Sequence, residues 1–180
     1  MRAHDAGRQE RLPGGEVTGG SPDPADVTGA LLRRALPDES DALASIWLRA
    51  RAASVPAIPP PVHTEEEVRA WFRDVVLADR EVWVADAGGR PVALLVLDRE
   101  WVDQLYVEPT LTGRGLGSRL LELATARRPA GLELWTFAAN TGARRFYERN
   151  GFVDVEQSSG NNEEGAPDVR YRWARPGGLP

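Results

Sequence analysis

Leu105-Tyr106-Val107-Glu108-Pro109-Thr110-Leu111-Thr112-Gly113-Arg114-Gly115-Leu116-Gly117-Ser118 is the stretch from which the rest of the chain is read. Trp101 to Val107 is rich in aromatic and branched residues and predicts a strand. Pro109 marks a turn, and from Leu116 the apolar residues fall at Leu116, Leu120 and Leu123, with Leu121 and Ala124 widening the stripe. That is a helical period, and Arg119 and Glu122 are left for the outer face. Glycines 113, 115 and 117 sit between strand and helix. A helix start carries unpartnered N–H groups and a partial positive charge, so a phosphate is stabilised there by donors and dipole together. Arg114 can add a charge-assisted contact. Taken alone, the three glycines fit a plain tight turn slightly better than a phosphate site.

Two familiar phosphate loops do not match. No Lys-Ser/Thr follows the glycines, as a P-loop requires. The dinucleotide fingerprint needs its third glycine one place later than Gly117. Predicted hairpins, where a parallel sheet needs crossovers, also speak against a dinucleotide domain.

Outward toward the N-terminus, residues 81–86 and 92–97 predict two strands joined by a turn at Ala87-Gly88-Gly89-Arg90. The 92–97 run is almost wholly apolar, as in a central strand buried on both faces. Period-2 alternation in the 101–107 strand groups Asp103 with Leu105 and Val107, and Glu100 with the opposite face. Thr64-Glu65-Glu66-Glu67 is a capping box opening a helix that buries Val68, Trp71, Phe72 and Val75. The Pro-rich run 54–63 is a stiff loop. Before it, Pro37-Asp38 opens a helix with Leu43, Ile46, Trp47 and Ala50 on one face, preceded by a strand at 30–35. Residues 1–27 have almost no large apolar side chains and are expected to form a disordered leader. Residues 28–175 form the domain, and 176–180 are expected to fray.

Outward toward the C-terminus, Pro129 stops the helix and 132–137 is a strand. Asn140 is an N-cap and Gly151 a helix stop, with Ala143, Phe146 and Tyr147 sharing a face between them. Strands at 152–155 and 169–173 flank a polar loop, 156–168.

Composition bounds the function. The chain has 180 residues, 42% of them hydrophobic, enough for one domain with a sizeable core. A net charge of -5 argues against nucleic acid as a main partner and favours cationic small substrates. There is no Cys, and the two histidines are His4 and His63, so neither a thiolate nucleophile nor a zinc site is expected. No apolar run approaches the ~20 residues of a membrane helix, and the N-terminus lacks a secretory pattern. A cytoplasmic protein, monomer or homodimer, is expected, with no metal and no membrane partner.

Leu-Tyr-Val-x-Pro followed by x-Gly-x-Gly-x-Gly and a leucine-rich helix resembles the central motif of the GNAT superfamily of acyl-CoA-dependent N-acetyltransferases. Asn140-x-x-Ala143-x-x-Phe146-Tyr147-x-x-x-Gly151-Phe152 resembles the family's second motif, with every position filled. Thr112 stands where the family usually has Gln or Arg, so one basic contact is absent or supplied by Arg114. The resemblance implies an α+β fold: an α/β/α sandwich with a mixed, mostly antiparallel central sheet and four helices. It implies transfer of acetyl from acetyl-CoA to the primary amine of a small molecule or protein N-terminus, by direct attack in a ternary complex. The pantetheine arm would pair with the backbone of Leu105, Tyr106 and Val107, where one N–H would polarise the thioester carbonyl. The loop Thr112, Gly113, Arg114, Gly115, Leu116, Gly117 and Ser118 would hold the pyrophosphate, with Asn140 and Phe146 nearby. Asn140 is a cap only, or a cap that also bonds the cofactor arm.

Tyr147 matches the family's tyrosine that protonates the departing thiolate; packing beside Phe146 is its plainer role. Glu100, Asp103, Glu108 or an ordered water would serve as base. The acceptor would meet loops 54–63 and 156–168, which carry His63, Glu156, Glu163, Glu164 and Asp168. A catalytically silent acyl-CoA-binding module on the same fold is the alternative, and it has little need of Tyr147.

Overall fold

The computed structural model describes residue 27 and residues 29–174. The expected frayed tail and all of the expected leader except Val27 lie outside them; Val27 itself is buried in the core. Among the described residues seven strands form one sheet: β1 (Leu31–Arg34), β2 (Glu81–Ala87), β3 (Arg90–Asp98), β4 (Trp101–Val107), β5 (Leu132–Phe137), β6 (Val153–Ser158) and β7 (Asp168–Trp173). Their order is β1-β2-β3-β4-β5-β7-β6, and every neighbour pair is antiparallel except β4 and β5.

Among the described residues four helical segments sandwich the sheet. α1 (Ser40–Ala53) follows a 3₁₀ turn at Pro37–Glu39. α2 starts at Glu65–Trp71, passes through a π turn at Phe72–Val76 and ends at Leu77–Asp79. α3 is Leu116–Arg127 and α4 is Thr141–Arg149. α1 and α2 cover one face, burying Leu43, Ile46, Phe72 and Val76 against Val82, Val84, Leu94 and Val96. α3 covers the other, with Leu116, Leu120, Leu121 and Ala124 against Val92, Leu95, Val102 and Leu134. β3 is thus apolar on both faces because helices lie over both.

The predicted α2 cap is present: Thr64 Oγ1 accepts from the Glu67 N–H at 3.3 Å, and Glu67 Oε2 accepts from the Thr64 N–H at 2.8 Å. Its buried face matches the expectation at Val68 and Phe72 but not at Trp71, which is only partly buried, nor at Val75. Val76 is fully buried and Val75 only partly so. The π turn, closed by the Leu77 N–H to the Phe72 carbonyl, winds an extra residue into the helix and turns Val76 inward.

A second correction falls in β4. Gln104 pairs with Val96, but Val102 pairs with Leu97, so Asp103 bulges out of the register. The alternation expected to group Asp103 with Leu105 and Val107 does not survive the bulge. Among the described residues no helix is long and apolar enough to cross a membrane, and no cluster of three or more His, Asp or Glu could hold a metal.

Candidate active site

The site begins with a parting of strands. β4 is paired with β3 as far as Val107, but it meets β5 only at Trp101 and Glu133. β5 turns away to pair with β7 over its whole length. On the β5 side, the backbone of Leu105 to Val107 is therefore left without a strand partner, an edge that an extended amide chain can join.

A cavity of about 770 Å³ opens at this parting. Leu105, Tyr106 and Val107 form one wall, and Asn140, Phe146 and Tyr147 another. Its floor is Thr112, Gly113, Gly115, Leu116, Gly117 and Ser118. The structure thus brings together every residue expected to bind the cofactor except Arg114, which is exposed and does not line the cavity. Gly113 and Gly115 adopt φ of 76° and 82°, the left-handed conformation that favours glycine. A Cβ on either would meet nothing within 4 Å, so both face open space. Gly117 serves packing instead: a Cβ there would come 3.2 Å from Phe146 Cζ. The helix ladder of α3 opens with the Arg119 N–H to the Gly115 carbonyl, so the amides of residues 116–118 precede it. Thr112 Oγ1 donates to the Pro109 carbonyl at 2.9 Å and so holds its own turn.

Tyr147 lies where this cavity meets a second one, lining both. Its ring is packed 5.1 Å from Phe146, 5.8 Å from Phe152 and 6.1 Å from Tyr171. Burial, with a smaller contribution from the Tyr106 phenol, pushes its hydroxyl well above the ordinary phenol range. Packing and position at the junction therefore occur together. Asn140 also lines both cavities, and its Oδ1 accepts from the Ala143 N–H at 3.0 Å. Asn140 is a cap, as expected, and is within the site as well.

The second cavity, about 650 Å³, lies between α1, β4, β5 and the two expected acceptor loops. From those loops His63, Glu163, Glu164 and Asp168 line it, whereas Glu156 pairs with Arg170 at 2.6 Å outside it. The loops are tied across its mouth: His63 Nε2 lies 3.0 Å from Glu163, and Arg51 Nη2 donates to Glu164 at 2.7 Å. Of the three carboxylates weighed as base, Asp103 alone lines this cavity. The bulge gives it that position. Although it is exposed on the wall, the protein packed about it raises its carboxyl pKa, against the pull of Arg80 and a hydrogen bond from Gln104. Glu108 instead receives both ends of the Arg49 guanidinium at 2.8 Å, and Glu100 sits in the β3–β4 turn.

The sequence reading did not find Trp47, Arg51, Trp135 or Phe137, which also line the acceptor-side cavity. One signal was present. Arg51 follows Trp47 by four positions, placing a charge on the apolar stripe of α1. It is 5% exposed, and its guanidinium lies 5.1 Å over Trp47 and 5.5 Å over Phe137.

The model of the acetyltransferase (GNAT) domain family matches residues 78–154. YjaB of Salmonella typhimurium, named a peptidyl-lysine N-acetyltransferase, is 32% identical over 123 residues, covering 67% of this chain and 81% of that protein. The solution structure of apo YjaB from Escherichia coli matches with TM-score 0.66 at 24% identity, covering 81% of this chain and 97% of that one. The structure of yncA from Salmonella typhimurium, solved with its cofactor acetyl-CoA, matches with TM-score 0.61 at 18% identity, covering 81% and 93%. The chain spans 48% and 60% of the lengths of two other curated N-acetyltransferases, from Methanocaldococcus jannaschii and Mycobacterium tuberculosis, at 30% and 35% identity.

Proposed function

This chain belongs to the GNAT superfamily of N-acetyltransferases, and from that premise we propose that it transfers acetyl from acetyl-CoA directly to a primary amine held in its second cavity. One observation carries the proposal: a donor cavity and an acceptor cavity meet at Tyr147. The donor cavity suits acetyl-CoA because its two open glycines and the amides of residues 116–118 can approach a diphosphate closely. The unpaired edge of Leu105 to Val107 suits the amides of the pantetheine arm. The thioester supplies the acetyl group.

The protein's own part is positioning and proton handling. A backbone N–H at 105–107 polarises the thioester carbonyl. The amine nitrogen attacks that carbon and the carbon–sulfur bond breaks. Tyr147, kept protonated by its buried setting, donates its proton to the departing sulfur. Asp103 takes the proton that the amine gives up. The acidic lining, with Asp103 and Glu163, draws the ammonium form of the acceptor inward. The name of YjaB supports peptide amines among the acceptors.

The test is colourimetric thiol release from acetyl-CoA with a panel of amines. Tyr147→Phe is expected to lower kcat about a hundredfold, within the range for a lost general acid, while the KM for acetyl-CoA stays within about threefold, since the phenol is not needed to hold the donor. A variant that turns over at the wild-type rate removes Tyr147 from the mechanism.

A further inference from the structure

Arg51 is a charge in an apolar place. It stands on the buried side of α1, four residues after Trp47, and is 5% exposed. Its guanidinium carbon lies 5.1 Å over the Trp47 ring and 5.5 Å over the Phe137 ring of β5. Its Nε has no hydrogen-bond partner among the described residues. A buried ion pair is weak evidence for stability, because desolvation cancels much of the attraction, and a well-packed apolar side chain often does as well or better. Fold stability is therefore a poor reason for a guanidinium here, and its partners point to another.

Two bonds leave one nitrogen and run to different loops. Arg51 Nη2 donates to the Pro59 carbonyl at 3.2 Å, in loop 54–63, and to Glu164 Oε1 at 2.7 Å, in loop 156–168. One side chain thus joins α1 to both loops that border the acceptor-side cavity. A further tie between the loops, His63 Nε2 to Glu163 at 3.0 Å, joins exposed side chains and contributes little. Arg51 and Glu164 are both largely buried, where a pair is screened much less.

The fastening carries beyond Glu164 because the tip of its loop is a compact unit. Gly160 and Gly165 meet at its base so closely that a Cβ on Gly160 would come 2.6 Å from the Gly165 carbonyl oxygen. Asn162 ties the tip together: its Oδ1 accepts from the Ala166 N–H at 3.2 Å, and its Nδ2 donates to the Ala166 carbonyl at 2.7 Å and to Asp168 Oδ2 at 3.0 Å. Pinning Glu164 therefore places Asn162, Glu163 and Asp168, which all line the cavity. On the other side, Pro59 belongs to a proline-rich run, stiff by composition, that brings Ile58, Pro61 and His63 to the same cavity.

We propose that Arg51 is a positioning residue for the acceptor: by fastening loops 54–63 and 156–168 to α1, it sets the shape of the acceptor-side cavity without touching the reacting groups. This rests on the N-acetyltransferase reading of the site. A residue that acts in this way changes how the acceptor is held and leaves the diphosphate end of the donor site, at the start of α3, as it was.

Two substitutions and their combination test this. Arg51→Met keeps an unbranched stem and removes both bonds, and Glu164→Ala removes one partner. Kinetics are read by thiol release, with the fastest of n-butylamine, alanine amide and lysine amide as acceptor. In Arg51→Met the KM for that amine is expected to rise about tenfold or more, the scale of a lost bond to a charged group. Both kcat and the KM for acetyl-CoA should stay within about threefold, as when binding alone is lost. Glu164→Ala is expected to raise the amine KM as well, and the double variant to raise it no further than the larger single effect, since both break one fastening. Hydrogen exchange is the second readout. The amides of Ile58, Gly165 and Ala166, each bonded within its loop, should exchange faster in Arg51→Met, while the Arg119 N–H at the start of α3 keeps its wild-type protection. A rise in both KM values with protection lost at Arg119 too would make Arg51 a packing residue of the whole fold and overturn the proposal. So would an unchanged amine KM in a folded Arg51→Met, or single effects that multiply in the double variant. If Arg51→Met does not fold, Glu164→Ala decides by the amine KM and by exchange at Gly165 and Ala166. Should no amine release thiol, the acetyltransfer reading fails by itself, and exchange in the two loops still decides whether Arg51 fastens them.

Discussion

In the proposed transfer, Asp103 and Tyr147 handle protons moving in opposite directions. The thiolate must gain a proton and the amine must lose one. Burial raises the phenol, so it remains a donor through neutral pH. Crowding raises the carboxyl of Asp103 above its ordinary 3.8, which makes its ionised form a better base. Because the ionised form is the base, activity is expected to fall as pH drops through that raised value. Asp103→Asn should remove this acidic limb from the profile of kcat/KM per free amine and lower the neutral rate about a hundredfold. An unchanged acidic limb in the variant would assign the proton to water. Tyr147 and the glycines were legible in the sequence because each sits in a local pattern of fixed spacing. Arg51, Trp135 and Phe137 were not, since their cavity is assembled from elements distant along the chain.

The element that matters most is the entry to α3. Gly115 caps it in the left-handed conformation, with open space where a side chain would project. The cost of a side chain there is conformational, not steric, and amounts to about 1–2 kcal/mol for a non-glycine residue. Gly115→Ala is expected to lower the thermal midpoint by a few degrees and to raise the KM for acetyl-CoA several-fold, because the amides of 116–118 are re-aimed. An unchanged midpoint together with an unchanged KM would show that this turn is incidental. Element order was legible from period and punctuation, as in the Thr64 cap and the Gly88-Gly89 turn. The Asp103 bulge and the π turn were not. Each adds a single residue to an otherwise regular run, and tertiary packing rather than local sequence decides where.

For the whole molecule, the parting of β4 and β5 had no local signal. It is a matter of strand pairing across the sheet: β5 pairs with β7 along its whole length but meets β4 only at Trp101 and Glu133. On the opposite half, Glu81 fastens the start of β2 to the end of α3. Trp83 Nε1 donates to it at 2.8 Å, Arg128 Nη2 at 2.8 Å, and Arg127 Nε also donates. Burial alone would raise its carboxyl, but the bonds from Arg128, Trp83 and Arg127 outweigh that and hold it down from 4.5 to about 2. A depressed folded value means that the stabilisation is complete above pH 4.5 and is lost as pH falls toward 2. Its size is about 3 kcal/mol at neutral pH, an upper figure for a partly solvated group. In acid titrations followed by circular dichroism, Glu81→Gln is expected to be less stable at pH 7 and to lose less stability between pH 4.5 and 2 than the wild type. Parallel curves for the two proteins would mean that the cluster contributes nothing to acid sensitivity.

The central claim is that the opening between β4 and β5 receives an acyl-CoA whose diphosphate rests on the amides at the start of α3 and whose sulfur ends beside Tyr147. A crystal structure of the protein with coenzyme A tests it most directly. Diphosphate oxygens within about 3.5 Å of the backbone nitrogens of 113–118, pantetheine amides bonded to 105–107, and the sulfur next to the Tyr147 hydroxyl are the predicted result. Coenzyme A bound elsewhere, or a sulfur held away from Tyr147, would contradict it.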